Sequence, residues 1–296
     1  MGKKRKSLFE RISIFSKGPG PAARGLFGRH TLADDGLRPT PPKQHGAFFE
    51  GIARLGSIGM LLGRTLSMIF TGKTDKGATG RMAHRFTNGS LTFVIIAMSF
   101  VGMIMVYQST MQLSRAVGDT SLVGASFLKL LVRVLGPTVI GLLIACRVGA
   151  GIAAEIGAMA VTDQLDAMRM CAADPVETLI VPRLRGGVIA GFTLTVIGCA
   201  ASVLVGLLTA LYGFGISVTT YWNLEIIAMS DVVQGLVKSL LYGIAVPIVS
   251  GAFGLAARGG ARGVGQATTD AVVGSSFAIV LLDSLVSLVA HVAAGP

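Results

Sequence analysis

Uncharged stretches long enough to cross a bilayer dominate this chain. No charged residue lies between Arg85 and Arg115, and none between Arg185 and Glu225. In hydrocarbon every backbone N–H and C=O must find its partner within the protein, so such runs must be helical. About 20 residues at ~1.5 Å rise cross a ~30 Å core. Five runs meet that length, at about 91–111, 121–146, 187–212, 231–256 and 271–294. Hydrophobic residues make up 52% and charged residues 14%, against about 25% charged in soluble domains. The expected fold is an all-α integral membrane protein with five transmembrane helices. Ahead of them, in residues 46–72, Phe48, Phe49, Ile52 and Leu55 alternate with Glu50 and Arg54. Charges recur there too often for a crossing, which predicts an amphipathic helix lying in the interface.

The formal charge of +11 is lopsided. Residues 1–87 hold 16 Lys+Arg and 5 Asp+Glu, whereas residues 88–296 hold 10 of each. The basic start Lys3-Lys4-Arg5-Lys6 leads into a tail, residues 1–45, with Pro19, Pro21, Pro39, Pro41 and Pro42 and no apolar periodicity. This reads as a flexible cytoplasmic tail held near anionic headgroups. A nucleic-acid surface would interleave aromatics with the basic residues on a fold, so no nucleic-acid partner is expected. Connections 1–87, 147–186 and 257–269 carry 16, 4 and 2 Lys+Arg, against 1 and 0 in 112–120 and 213–230. The first set is therefore expected in the cytoplasm, with the N-terminus inside and the C-terminus outside. Gly213 and Gly215 are expected to turn the return after the third span, with Tyr221 and Trp222 in an interfacial belt.

The one long polar-bearing segment of the second half is 147–182, RVGAGIAAEIGAMAVTDQLDAMRMCAADPVETLIVP. Ile152, Ile156 and Met159 recur at helical spacing, and Asp166 and Arg169 can pair at i, i+3. Asp174-Pro175-Val176-Glu177 has the form of a helix start: Asp as N-cap, Pro first, Glu at the third position. Two short amphipathic helices joined near Ala172-Ala173 are expected, forming a docking surface in water. Small residues also recur as packing faces, at Gly187, Gly191, Thr195, Gly198, Ser202 and Gly206, and at Gly235, Ser239, Gly243, Pro247 and Gly251. These suit either packing within one subunit or a seam between two.

The stretch AEIGAMAVTDQLDAMRMCAADPVETLIVPR, preceded by LGPTVIGLLIACRVGAG, resembles the signature of the MlaE/YrbE permeases. These are membrane subunits of ABC lipid transporters that work with MCE proteins. The resemblance covers roughly residues 50–293 and leaves the tail outside it. It implies that the polar segment couples to a separate cytosolic ABC ATPase through Glu155, Gly157, Asp163, Gln164, Asp166, Asp174, Pro175 and Arg183. Glu155 is the first choice for a direct contact. Gly149 and Gly151 would allow a sharp turn from the second span into the coupling helix. Two positions depart from the family pattern: Val134 stands where Arg-Glu-Leu-Gly-Pro has Glu, and Asp163 shortens the acid of Glu-Gln. The implied assembly is two permease copies, two ATPases and an MCE-domain protein at the bacterial inner membrane. Its cargo would be phospholipid or a related lipid held between the copies. The alternative is a membrane anchor or scaffold that docks a soluble partner without transport.

Enzyme chemistry finds no support. His30, His45, His84 and His291 have no ligand spacing, and Cys146, Cys171 and Cys199 form no CxxC pair, so neither a metal nor another cofactor is expected. Gly72-Lys73-Thr74 lacks the first glycine of a phosphate loop, since Ser67 occupies that place. ATP hydrolysis therefore belongs to the partner. Charges inside spans are costly and often functional. Arg133 and Lys129 lie in the second span, Lys238 in the fourth and Asp283 in the fifth, where Asp283 can pair with Lys238 or Arg133. Met98, Met103, Met105 and Met111 accompany Tyr107 on the first span, which suits a pocket for flexible acyl chains or an ordinary lipid-facing surface. Met103, Tyr107, Arg133 and Asp283 are the candidate lipid pocket. The orientation is checked by a cysteine-accessibility map of segment 147–182, which should react with an impermeant maleimide only from the cytoplasmic side.

Overall fold

The computed structural model describes Gly63 and residues 76–116, 123–222 and 227–294. The expected tail 1–45 and, apart from helical Gly63, the expected interfacial helix 46–72 lie outside the described residues. The chain divides into Met1–Ala53 and Arg54–Pro296, and the described residues all belong to the second unit.

All regular structure among the described residues is helical. Helix α1 is Lys76–Ala116. The second rod runs without a break through α2 (Val123–Leu130), a π-helical turn at Leu131–Leu135, α3 (Gly136–Ile144), a second π turn at Ala145–Gly149, and α4 (Ala150–Val161). Short α5 is Gln164–Met170. A π turn at Val176–Ile180 leads into α6, Val181–Phe214. Then follow the single turn α7 (Val218–Tyr221), α8 (Met229–Leu255) and α9 (Gly260–Ala294). Five helical rods are long and apolar enough to cross a membrane: Gly77–Arg115, Val123–Val161, Val176–Phe214, Met229–Leu255 and Gly260–Val292.

Two of the π turns have a cause in the sequence. Proline has no N–H to donate, and its ring presses on the carbonyl four residues back. Leu131–Leu135 runs into Gly136-Pro137, and Val176–Ile180 into Val181-Pro182. In both, the residue before proline bonds five residues back, Gly136 N–H to the Leu131 carbonyl and Val181 N–H to that of Val176. One residue of slack thus lets the rod pass the proline. At the end of α6, Gly215 takes φ +66° and the Ile216 N–H returns to the Ala210 carbonyl at 3.1 Å, a glycine-terminated helix end.

Helix α6 packs along α1 and α8, and α9 lies against α8 and α4. Both small-residue stripes are used up within the chain. A β-carbon added at Gly191 would lie 3.2 Å from the Ser239 carbonyl oxygen and 3.3 Å from Gly243 Cα. One at Gly187 would meet the Gly243 carbonyl at 2.9 Å and the Pro247 ring at 2.6 Å. Farther along α6, Gly198 faces Ile140 and Val94, and Gly206 faces Val106 and the Tyr221 hydroxyl. The faces therefore serve packing within the subunit, the first of the two readings their spacing allowed.

Several expected boundaries shift. The second and third spans do not stop at Cys146 or begin at Gly187; both continue as helix into the polar segment. The sharp turn expected at Gly149 and Gly151 is absent, because Gly149 is helical at φ −60°, ψ −49°. A β-carbon there would lie 2.8 Å from Ser250 Oγ, so Gly149 serves helix approach rather than bending. Tyr221 is fully buried, packed beside Phe127 with its hydroxyl donating to the Val203 carbonyl at 3.2 Å, and so is not part of a belt. Gly243→Val would drive its side chain into Val188 Cα, 2.8 Å from the new β-carbon. It should cost about 1–3 kcal/mol by overpacking. Gly151→Ala, with nothing within 4 Å, should instead gain about 0.5–1 kcal/mol of helix stability. Thermal unfolding of the two variants in detergent checks both signs.

Candidate functional site

The polar segment folds as a short platform between two rods. Helix α4 ends at Thr162, whose hydroxyl donates to the Ala158 carbonyl at 2.8 Å. The chain then breaks at Asp163, at φ +57°, makes α5, and breaks again at Ala172, at φ +59°. Left-handed backbone costs a non-glycine residue roughly 1–2 kcal/mol, and such strain tends to gather at functional sites. Leu165 is buried and pins α5 to the bundle. Gln164, Asp166, Arg169 and Met170 face outward, Met170 at 88% exposure. The anticipated Asp166–Arg169 pair forms at 2.9 Å between exposed side chains. The anticipated helix start also forms: Asp174 accepts the Val176 N–H at 3.0 Å, with Pro175 as the first helical residue. A groove of about 420 Å³ runs beneath, lined by residues including Arg169, Asp174, Pro175 and Leu255.

Below the platform one carboxylate ties three helices. Glu155 on α4 receives Arg183 of α6 at 3.1 Å and Arg85 of α1 at 2.5 Å. Arg183 is 5% exposed and also donates to the Leu179 carbonyl at 2.8 Å. Hydrogen bonds between ionised groups are about twice as strong as neutral ones.

The eight expected coupling positions thus separate into two groups. Asp163, Gln164 and Asp166 lie on the exposed platform. Glu155 and Arg183 form the clasp, Asp174 and Pro175 start the next rod, and Gly157 is buried, where a β-carbon would lie 3.3 Å from Ala257 Cβ. Arg85 was missed. It is the last charge before an uncharged run, a place that alone does not reveal its partner.

Five charged side chains of the second, fourth and fifth rods are paired across helices. Lys238, fully buried on α8, lies 2.7 Å from Asp283 of α9 and donates to Ser287 Oγ at 2.9 Å. Thr138 and Tyr242 hydroxyls donate to the same Asp283 oxygen at 2.8 Å each. Of the two partners weighed for Asp283, Lys238 is the one found. Arg133 pairs instead with Asp231 at 3.4 Å, with Lys129 near the same carboxylate at 3.9 Å. Asp231 also accepts the Ala228 N–H at 3.3 Å. Sequence reasoning passed over Asp231, although it stands in the first turn of a helix that arrives beside two cations.

The four candidate lipid-pocket residues are not gathered on one wall. Met103 and Tyr107 are exposed on α1, where Tyr107 lies 5.6 Å from the Phe214 ring, while Arg133 and Asp283 are held by different partners on other helices.

Residues 79–289 match the family described as Permease MlaE. A probable ABC transporter permease protein of Rickettsia typhi is 37% identical over 200 residues, covering 67% of this chain and 77% of that protein. One from Synechocystis is 33% identical over 242 residues, 79% and 89% of the two chains. The intermembrane phospholipid transport system permease protein MlaE of Haemophilus influenzae is 32% identical over 203 residues, 68% and 77%. With most of its membrane-crossing region matched and its rods in place, the chain belongs to the MlaE permease family.

Proposed function

We propose that this protein is the membrane-spanning subunit of an ABC transporter that moves phospholipid or a related lipid between the bacterial inner membrane and the cell envelope. One observation carries the reading: α5 is a small exposed platform hung between two strained breaks, and each side of it joins a membrane-crossing rod. Force applied to such a platform is delivered to both rods at once. The names borne by the relatives from Haemophilus and Rickettsia support the same class.

The driving partner is a cytosolic ABC ATPase that grips Asp163 at the head of α5 and Gln164 and Asp166 on it. An MCE-domain protein receives or delivers lipid on the far side, and a second copy of the permease completes the cargo space. The platform faces the cytoplasm, the N-terminus lies inside and the C-terminus outside. Glu155 acts through the clasp, holding α1, α4 and α6 so that they move as one when the platform is pushed. For the cargo, Met103 and Tyr107 are the open candidates, since Arg133 is held by Asp231 and Asp283 is engaged by Lys238, Thr138 and Tyr242.

Two substitutions separate gripping from bracing. Asp166→Lys alters an exposed side chain, so unfolding should stay within about 0.5 kcal/mol of the parent. The ATPase should nevertheless no longer copurify. Glu155→Lys leaves Arg183 and Arg85 facing a third cation. It should lower stability by about 1–3 kcal/mol and uncouple ATP hydrolysis from lipid even where the subunits remain together. Copurification, thermal unfolding and lipid-stimulated ATPase activity of the complex check these outcomes.

A further inference from the structure

The groove of about 420 Å³ beneath α5 is framed by backbone that can give way. On the platform side lie Arg169, Ala172 and Ala173, at the left-handed break of Ala172. A second wall, Asp174 and Val176, runs into the π turn at Val176–Ile180, a widened stretch of the helical ladder. The third wall is Leu255, the last residue of α8. Beyond it the turn into α9 takes φ +87° at Gly259 and +70° at Gly260, a backbone that glycine adopts without steric cost. Helix α5 itself is lightly held. Leu165 is its one buried residue. Its ladder closes on itself, with the Ala167 N–H on the Asp163 carbonyl and the Cys171 N–H on that of Ala167, each at 3.1 Å. It can therefore tilt as a unit about Asp163 and Ala172 without unwinding.

Open space of this size against a strained connector serves either a ligand or a movement. A ligand needs polar groups free to orient it. The two charged side chains on the walls are already engaged, Arg169 by Asp166 at 2.9 Å and Asp174 by the Val176 N–H at 3.0 Å. We infer that α5 is a plunger: pressed by the ATPase, it tilts into the groove and lands on Leu255, so that α8 is driven along with the two flanking rods. The displacement of α8 reaches α9 through the Lys238–Asp283 pair. The inference rests on the ATPase-driven reading and adds to it a third driven rod and a defined stroke.

The test uses the full chain copurified with its ATPase in lipid nanodiscs. Leu255→Cys, with Cys146, Cys171 and Cys199 replaced by alanine, reports the groove through its rate of reaction with a maleimide. A platform held down about nine-tenths of the time in ATP and vanadate should slow that reaction about tenfold relative to the nucleotide-free complex. Equal rates in the two states would overturn the plunger. Slow rates in both, beside a fast rate in the permease alone, would overturn it by making the groove a socket for an ATPase side chain. Leu255→Trp sets a wedge on the far wall. That variant should unfold at the parent temperature and keep the ATPase bound, yet lose the lipid stimulation of ATP hydrolysis. Stimulation at the parent level would overturn the stroke, and loss of the ATPase from the folded variant would again point to a socket. If the parent chain copurifies no ATPase, the ATPase-driven reading falls and takes the plunger with it. If the parent complex is stimulated by lipid while the maleimide rates stay equal, the plunger alone falls.

Discussion

A backbone in hydrocarbon must satisfy its own hydrogen bonds, and the rest of this structure follows from that demand. Each long rod keeps its ladder through proline by widening to a π turn, as at Leu131–Leu135 before Pro137 and Val176–Ile180 before Pro182. Among the described residues, the non-glycine residues of positive φ, Asp163 and Ala172, both lie in the connector between the second and third rods. There water can hydrate an exposed carbonyl, so the backbone is free to break. The connector can be shaped for docking because it lies where the constraint relaxes.

The same demand governs side chains. An isolated charge in a span is expensive, and five charges here find opposites: Lys238 with Asp283, and Arg133 and Lys129 with Asp231. Where no charge needs pairing, cohesion comes from close approach. Gly187 and Gly191 let α6 sit against Gly243 and Ser239 of α8 with nearly backbone-to-backbone contact. Lipid tails compete with any apolar side chain for contact, so small residues that bring main chains together are a main source of packing energy.

The number of crossings was legible because hydropathy reports the solvent directly. The ends of the helices were not, because Arg147, Glu155 and Arg183 look like interruptions to a hydropathy scan and yet are helical residues of the rods. The start of the third rod was legible at Asp174-Pro175, since capping is a local interaction written in adjacent residues. Glu155 was noticed for its chemistry, but its neighbours within the chain, Arg85 and Arg183, were not. Its attraction to a basic group was readable, but whether that group lay on a partner or on Arg85 and Arg183 depends on helices distant in sequence. Gly149 misled for the same reason, being small so that α8 can pass close by rather than to turn the chain.

The two rods that flank α5, Val123–Val161 and Val176–Phe214, are 39 residues each. At ~1.5 Å per residue they are about 58 Å long, nearly twice a ~30 Å hydrocarbon core. Arg147 and Arg185 stand at the edges of their uncharged stretches, which leaves most of the excess on the α5 side. The platform therefore stands on a helical stalk that continues past both arginines. A protein engaging it would work at arm's length from the bilayer, and a slight tilt of the stalk would become a much larger sweep at its tip.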